Sequence, residues 1–250
     1  MKIFISFILF FTFLQAQEDE KQTLTLGLGP YIQTQPYKDV NDIVVPSPVI
    51  FYDNGIFYIR WSRAGIYFLG KKTDSYAWGF SLTAQPRPNS YKPSEAQTLQ
   101  GLDEKYSSLE AGLAFSAAMN DMYIETMLLT DVLGRYDSWI VKTEIGYDFE
   151  ISKLKFYPSI IAIYQSQKFI NYYYGVSKKE AQDSIYDEYR ADNGLQLGVQ
   201  TYIKYPFTEK LSMLANIRYD RLSKEATRSP IVEENYIASG LLSLIYTFEY

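Results

Sequence analysis

Lys142 and Glu144 stand two residues apart, as do Arg218 and Asp220, and Asp148 and Glu150 continue the first series on the same parity. In an extended strand, residues at i and i+2 share a face, so each set turns both signs of charge to one side. Such sets can pair across a cavity and hold it shut, because a charge left alone in a low-dielectric interior costs several kcal/mol. They can also form a charged constriction that selects solutes. A second concentration lies between 168 and 193. There Tyr172, Tyr173, Tyr174, Tyr186 and Tyr189 are mixed with Lys178, Lys179, Glu180, Asp183, Asp187, Glu188 and Arg190. A segment this aromatic is too apolar to remain disordered, and tyrosine gives contact area at little entropic cost.

Other chemistry is excluded by composition. The 250 residues contain no histidine and no cysteine, which removes the usual zinc, haem and iron–sulfur ligands, the Ser-His-Asp and Cys-His nucleophiles, and any disulfide framework. Paired carboxylates could still do acid–base work, yet no pair stands out among the 29 Asp and Glu. A net charge of -5 offers no basic footprint for nucleic acid. The expectation is a protein without catalysis, metal or cofactor.

The elements that must position these residues alternate with period two. Tyr236, Ala238, Gly240, Leu242, Leu244, Tyr246, Phe248 and Tyr250 form one face of the C-terminal stretch. Trp139, Val141, Thr143, Ile145, Tyr147 and Phe149 alternate with Lys142, Glu144, Asp148 and Glu150. Residues 195–205 and 211–219 read the same way. A soluble sandwich would also alternate, but its strands are shorter, about five or six residues. Here the strands run to ten residues or more, and their apolar faces carry aromatics near the ends and aliphatics between. That is a lipid-facing wall with interfacial girdles, and its polar face lines a lumen. The expected fold is all-β, a closed antiparallel transmembrane β-barrel.

Twelve strands are expected, at 23–31, 46–52, 55–61, 64–71, 75–85, 107–118, 121–131, 138–150, 153–167, 194–206, 210–222 and 236–250. Every second link is tight, as an even-stranded barrel with both termini in the periplasm requires. The weakest strands are 46–52, where Pro46 and Pro48 intrude, and 64–71, so ten strands is the alternative. Residues 168–193 then fold over or into the external mouth, with Tyr172, Tyr173, Tyr174, Gly175, Glu180, Tyr186 and Tyr189 as a lumen plug. The lumen charges are Lys142, Glu144, Asp148, Arg218 and Asp220. Before the first strand, Met1-Lys2, the apolar run Ile3–Leu14 and Gln15-Ala16 have the layout of a signal peptide. Cleavage after Ala16 would leave 17–250 as the barrel. The closing aromatics Tyr246, Phe248 and Tyr250 resemble the signal read by the outer-membrane assembly machinery.

Two stretches carry a family resemblance. Asn171-Tyr172-Tyr173-Tyr174-Gly175-Val176-Ser177 with Glu180-Ala181 is one, and Arg218-Tyr219-Asp220-Arg221-Leu222 with Glu225-Ala226 and Ser229-Pro230-Ile231-Val232 is the other. Together with Gly27-Leu28-Gly29-Pro30-Tyr31, Leu99-Gln100-Gly101-Leu102, Leu109-Glu110-Ala111-Gly112 and the terminal Leu244–Tyr250, they resemble the MipA/OmpV family of outer-membrane proteins. The family's Pro-x-Tyr-x-Gly-Ser is only loosely matched by Gln35-Pro36-Tyr37-Lys38-Asp39. The resemblance spans the mature chain and is most specific in its C-terminal third. It implies a barrel in the outer membrane of a Gram-negative cell, in contact with lipid and lipopolysaccharide. It also implies a scaffold between a murein transglycosylase and a murein synthase. The alternative is a narrow channel for small solutes.

Overall fold

A computed structural model describes residues 22–73 and 75–249. The expected signal peptide and Tyr250 lie outside the described residues. The strands are β1 (Thr23–Gln33), β2 (Ile43–Asp53), β3 (Phe57–Arg60), β4 (Arg63–Lys72), β5 (Tyr76–Arg87), β6 (Ser108–Met119) and β7 (Met122–Asp131), followed by β8 (Trp139–Tyr147), β9 (Phe149–Ile151), β10 (Leu154–Gln165), β11 (Gly194–Pro206), β12 (Leu211–Arg221) and β13 (Tyr236–Glu249). All pair antiparallel with their neighbours, and β1 closes on β13. β9 prolongs β8: Gly146 pairs with Ser159 and Phe149 with Phe156, on one continuous register along β10. The cylinder therefore has twelve staves.

The tight turns at one end follow from local chemistry. Gly55 takes a positive φ of 79°, while the Asn54 side chain accepts the backbone N–H groups of Ile56 and Phe57 at 3.0 and 2.7 Å. Asn120 and Ser152 adopt left-handed φ values of 52° and 59°, which lets two-residue turns follow the strand twist. Both described chain ends lie at this rim, which by the layout of outer-membrane barrels faces the periplasm. Links at the opposite end are longer, except 61–62, and they carry short helices: α1 (Gln167–Tyr174), α2 (Lys178–Asp183) and α3 (Lys224–Thr227). The expected strand 153–167 thus stops at Gln165, because Ser166 caps α1 by accepting the Phe169 N–H at 3.3 Å.

Side-chain direction follows the alternation. Trp139, Ile145, Tyr147 and Phe149 are exposed on the outside, and Ile140 and Glu144 are buried inside. Leu26, Leu28, Ile32, Leu113, Leu128, Ile160, Ile217 and Leu244 extend the exposed apolar belt around the cylinder. So continuous a surface would be a liability in water and is what hydrocarbon requires. Aromatic pairs edge the belt. Trp139 stacks on Tyr164 at 5.8 Å and Tyr219 on Tyr236 at 5.2 Å near the external rim. Phe149 stacks on Phe156 at 5.1 Å and Tyr246 packs on Phe248 at 4.8 Å near the periplasmic one. Closure leaves each stave partnered on both sides over most of its length, which matters where an unpaired backbone group costs several kcal/mol.

One sector departs from this. β3 has four residues, and its hairpin with β4 turns at Trp61 and Ser62. Above that turn β2 and β5 continue without a stave between them.

Candidate functional site

The external half of the lumen is filled by the loops. α1 buries Phe169, Ile170, Tyr173 and Tyr174 against the inward side chains Met127, Leu129, Ile140, Ile161 and Ile163 of the wall. Ring contacts tie the loops together: Tyr136 to Phe169 at 5.0 Å, Phe169 to Tyr173 at 5.0 Å, and Tyr37 to Tyr91 at 4.6 Å. Polar contacts pin the segment at both ends. Val176 and Tyr189 exchange backbone hydrogen bonds at 2.9 Å, the Tyr189 hydroxyl donates to the Glu225 carbonyl at 2.6 Å, and Ser229 donates to the Tyr174 carbonyl at 2.5 Å. Gly175 ends α1 by donating to the Asn171 carbonyl at 3.1 Å. Tyr172 is half-buried and accepts the Tyr106 N–H at 3.0 Å through its hydroxyl. Tyr186 is buried beneath Lys38, whose ammonium lies 5.4 Å from the ring centre.

Glu180 is the polar centre of this lid. It completes a capping box with Ser177, accepts the Lys105 ammonium at 2.9 Å and the Asp103 N–H at 3.0 Å, and is itself buried. Burial alone would raise its pKa, but the hydrogen bonds from Lys105 and Ser177 prevail and hold it at about 2. Next to it, Gly101 has a φ of 85° and approaches so closely that a Cβ there would sit 1.9 Å from the Asp183 carbonyl oxygen. Burial first, then the neighbouring Tyr174, pushes the Tyr37 hydroxyl well above 10. Burial and Glu180 do the same to Tyr91. Tyr37 and Tyr91 are therefore neutral packing groups.

Beneath the lid lies a cavity of about 1920 Å³, reaching from Arg87, Gln165 and Gln196 to Asp53, Lys72 and Asp148 near the periplasmic turns. Several of its charges are organised in pairs. Arg87 meets Glu110 at 2.8 and 2.9 Å, with the Tyr136 hydroxyl and the Gln85 amide also donating to that carboxylate. Glu125 is shared by Arg63 and Arg60, the latter at 3.2 Å. Lys142 lies 3.3 Å from Glu144, which also accepts from Tyr123, Ser159 and Gln200. Arg218 reaches Asp220 at 2.5 and 2.8 Å, and Gln196 donates to the same carboxylate at 3.1 Å. Asp148 is exposed at the periplasmic end.

Two of these pairs differ from the expected pairing across the lumen. Lys142–Glu144 and Arg218–Asp220 close along their own strands, because the i, i+2 spacing of about 7 Å is within reach of a long side chain while the facing wall is not. Sequence reading missed Arg60, Arg63, Glu125, Arg87 and Glu110. The inward parity of Arg87, Glu110 and Glu125 was readable in β5, β6 and β7. Their partnership was not, since Arg63 reaches over two intervening staves to Glu125 and Arg60 over three. Among the described residues, no group of three or more acidic, His or Cys side chains is arranged to hold a metal ion.

Residues 26–248 match a family model described as MltA-interacting protein MipA. The MltA-interacting protein of Escherichia coli K12 is 29% identical over 228 residues, covering 90% of each chain. The putative outer membrane protein YiaT of the same strain is 27% identical over 214 residues, 85% of each chain. The outer membrane protein OmpV of Vibrio cholerae is 26% identical over 170 residues, 66% of this chain and 63% of its own. Among solved structures, an outer membrane channel from Pseudomonas putida F1 aligns over 92% of this chain and 96% of its own, with 11% identity and a TM-score of 0.47.

Proposed function

This chain belongs to the family of MltA-interacting protein MipA, and from that premise we propose that it is a non-catalytic docking protein. It is a β-barrel of the Gram-negative outer membrane, and its periplasmic end would receive an enzyme of murein turnover. The observation that carries this reading is the asymmetry of the lumen: the loops pack against the wall across the external mouth, and the cavity beneath them runs down to the periplasmic turns. A relative named MltA-interacting protein supports a murein transglycosylase as one partner, and a murein synthase would be the second. Each periplasmic turn is too small for a standard interface of about 800 Å² per partner. The partner would therefore bridge several turns around the rim, where Asp53, Lys72 and Asp148 border the opening.

The test is capture from detergent extracts with the purified barrel, using a murein transglycosylase and a murein synthase as candidates. Recovery of either enzyme is expected. Recovery of neither, from extracts where both are abundant, overturns the reading.

The size of the cavity favours a second reading, a narrow channel for small solutes. Planar-bilayer recording separates the two. A docking protein with a packed lid is silent, while a channel gives steps that scale with salt.

A further inference from the structure

The gap above the β3–β4 hairpin has a consistent construction. β3 pairs with β2 only from Phe51 to Asp53, and β4 pairs with β5 only as far as Ala64 with Ala84. Above those points β2 runs on from Ile50 to Ile43, about 23 Å of chain at 3.3 Å per residue, and β5 runs on to Arg87. Two staves are missing between them, so the strand axes would stand about 14 Å apart at the usual strand spacing. The gap lies at the level of the lipid belt. Pro48 pairs with Leu28 and Val44 with Ile32, and both β1 side chains project outward and are exposed.

A bare sheet edge in hydrocarbon is normally forbidden, and this one is blunted by proline. The Trp61 N–H donates to the Ile50 carbonyl at 2.8 Å, so the main-chain groups of even-numbered β2 residues face the gap. Two of those residues are Pro46 and Pro48, which have no N–H to leave unpaired. On the opposite edge stand Pro86 and Pro88. All four prolines are exposed.

Behind the gap the lumen has two kinds of wall. On the β2 side, Trp61 leads to a strip of inward apolar side chains, with Val49, Leu214, Leu241 and Ile245 buried and Phe51 and Tyr202 against them. On the β5 side stand Arg87, Arg60 and Arg63, each already held by a carboxylate. The same cavity touches Ser47, Trp61 and Ser62 on one side of the gap, Pro86 and Pro88 on the other, and Asp148 at the periplasmic end. An apolar strip facing polar groups whose charges are already compensated suits a long apolar body with one uncharged polar group.

We propose that the β2–β5 gap is a lateral portal through which an uncharged long-chain amphiphile of the outer leaflet enters the lumen. The ligand lies along the Trp61–Phe51–Tyr202 strip with its polar end toward the Gln85 and Ser47 side chains. Entry is sideways from lipid, because the loops fill the external mouth. This inference needs only the membrane barrel and is independent of the docking function.

The full-length protein in phosphatidylcholine vesicles, photolysed with a diazirine-bearing hexadecanol, tests it by mapping the adducts with mass spectrometry. Adducts on inward residues of the strip, Phe51 and Tyr202, are expected alongside those on outward Leu28 and Leu244. Filling the portal with Ser62→Trp is expected to reduce the inward adducts at least fivefold and leave the outward ones unchanged. Adducts confined to outward residues overturn the portal. Inward adducts that survive the filled portal also overturn it, since the probe then entered from the periplasmic opening. If Ser62→Trp does not fold, the Trp78→Phe/Trp139→Phe variant serves instead, because it leaves Trp61 as the sole tryptophan. Vesicles of mid-chain brominated lipid are then expected to quench Trp61 emission at least twofold, and unchanged emission refutes the portal.

Discussion

Above Arg87 and Gln165 the lumen is filled with rings and aliphatic side chains, whereas below them cations and carboxylates stand in pairs around open space. The upper half behaves like the core of a small soluble protein, with capped helices and apolar packing. The lower half keeps its cavity because ion pairs that close along one strand, or between staves a few positions apart, need nothing from the opposite side. Apolar groups gain by meeting at the centre. Satisfied charges gain nothing by it. The comparison shows how one cylinder can be sealed at one end and hollow at the other.

Removing a carboxylate at the junction of the two halves gives the largest expected effect. Glu110→Ala leaves the Arg87 guanidinium buried without its partner, at a cost of about 4 kcal/mol. Urea titration of protein refolded into vesicles reads this directly, and a loss below about 1 kcal/mol would mean water already compensates the charge. Phe169→Ala attacks the upper half alone. A cavity there costs about 3 kcal/mol and should loosen the lid enough to bring intermittent conductance to a silent barrel. Unchanged silence with unchanged stability would mean that the loops do not depend on this ring.

The smallest of the three concerns pH. Glu180 has its folded pKa depressed to about 2 from an ordinary 4.5. Its contribution is therefore complete above about pH 5 and is lost as pH falls toward 2, by about 2 kcal/mol. Glu180→Gln should flatten that acid limb in protease-protection assays of the external loops. The lumen pairs should be unaffected, because the substitution touches only the lid.

Much of this was legible in the residues. The period of two placed the outward row Trp139–Phe149 and the inward series Lys142, Glu144 and Asp148 on their proper faces, and Asn54-Gly55 marked its turn. The helices in 166–193 escaped that reading, since the segment has no period of two and only one full turn or two of helix. Ser166 and the pair Ser177 and Glu180 were their available signals. In the sequence alone, Pro46 and Pro48 argue for a poor strand. They are well suited to a strand that has no neighbour on one side, and that is invisible until the neighbour is seen to stop at Arg60.

What the chain determined by itself is local: which residues extend, which face lipid, and where turns fall. These depend on steric preferences and hydropathy between residues a few positions apart. Which carboxylate meets which arginine, how far each stave climbs, and where the cylinder stays open were decided only in three dimensions. They depend on β1 closing against β13, a pairing between opposite ends of the described chain, and no neighbouring-residue preference encodes a circumference.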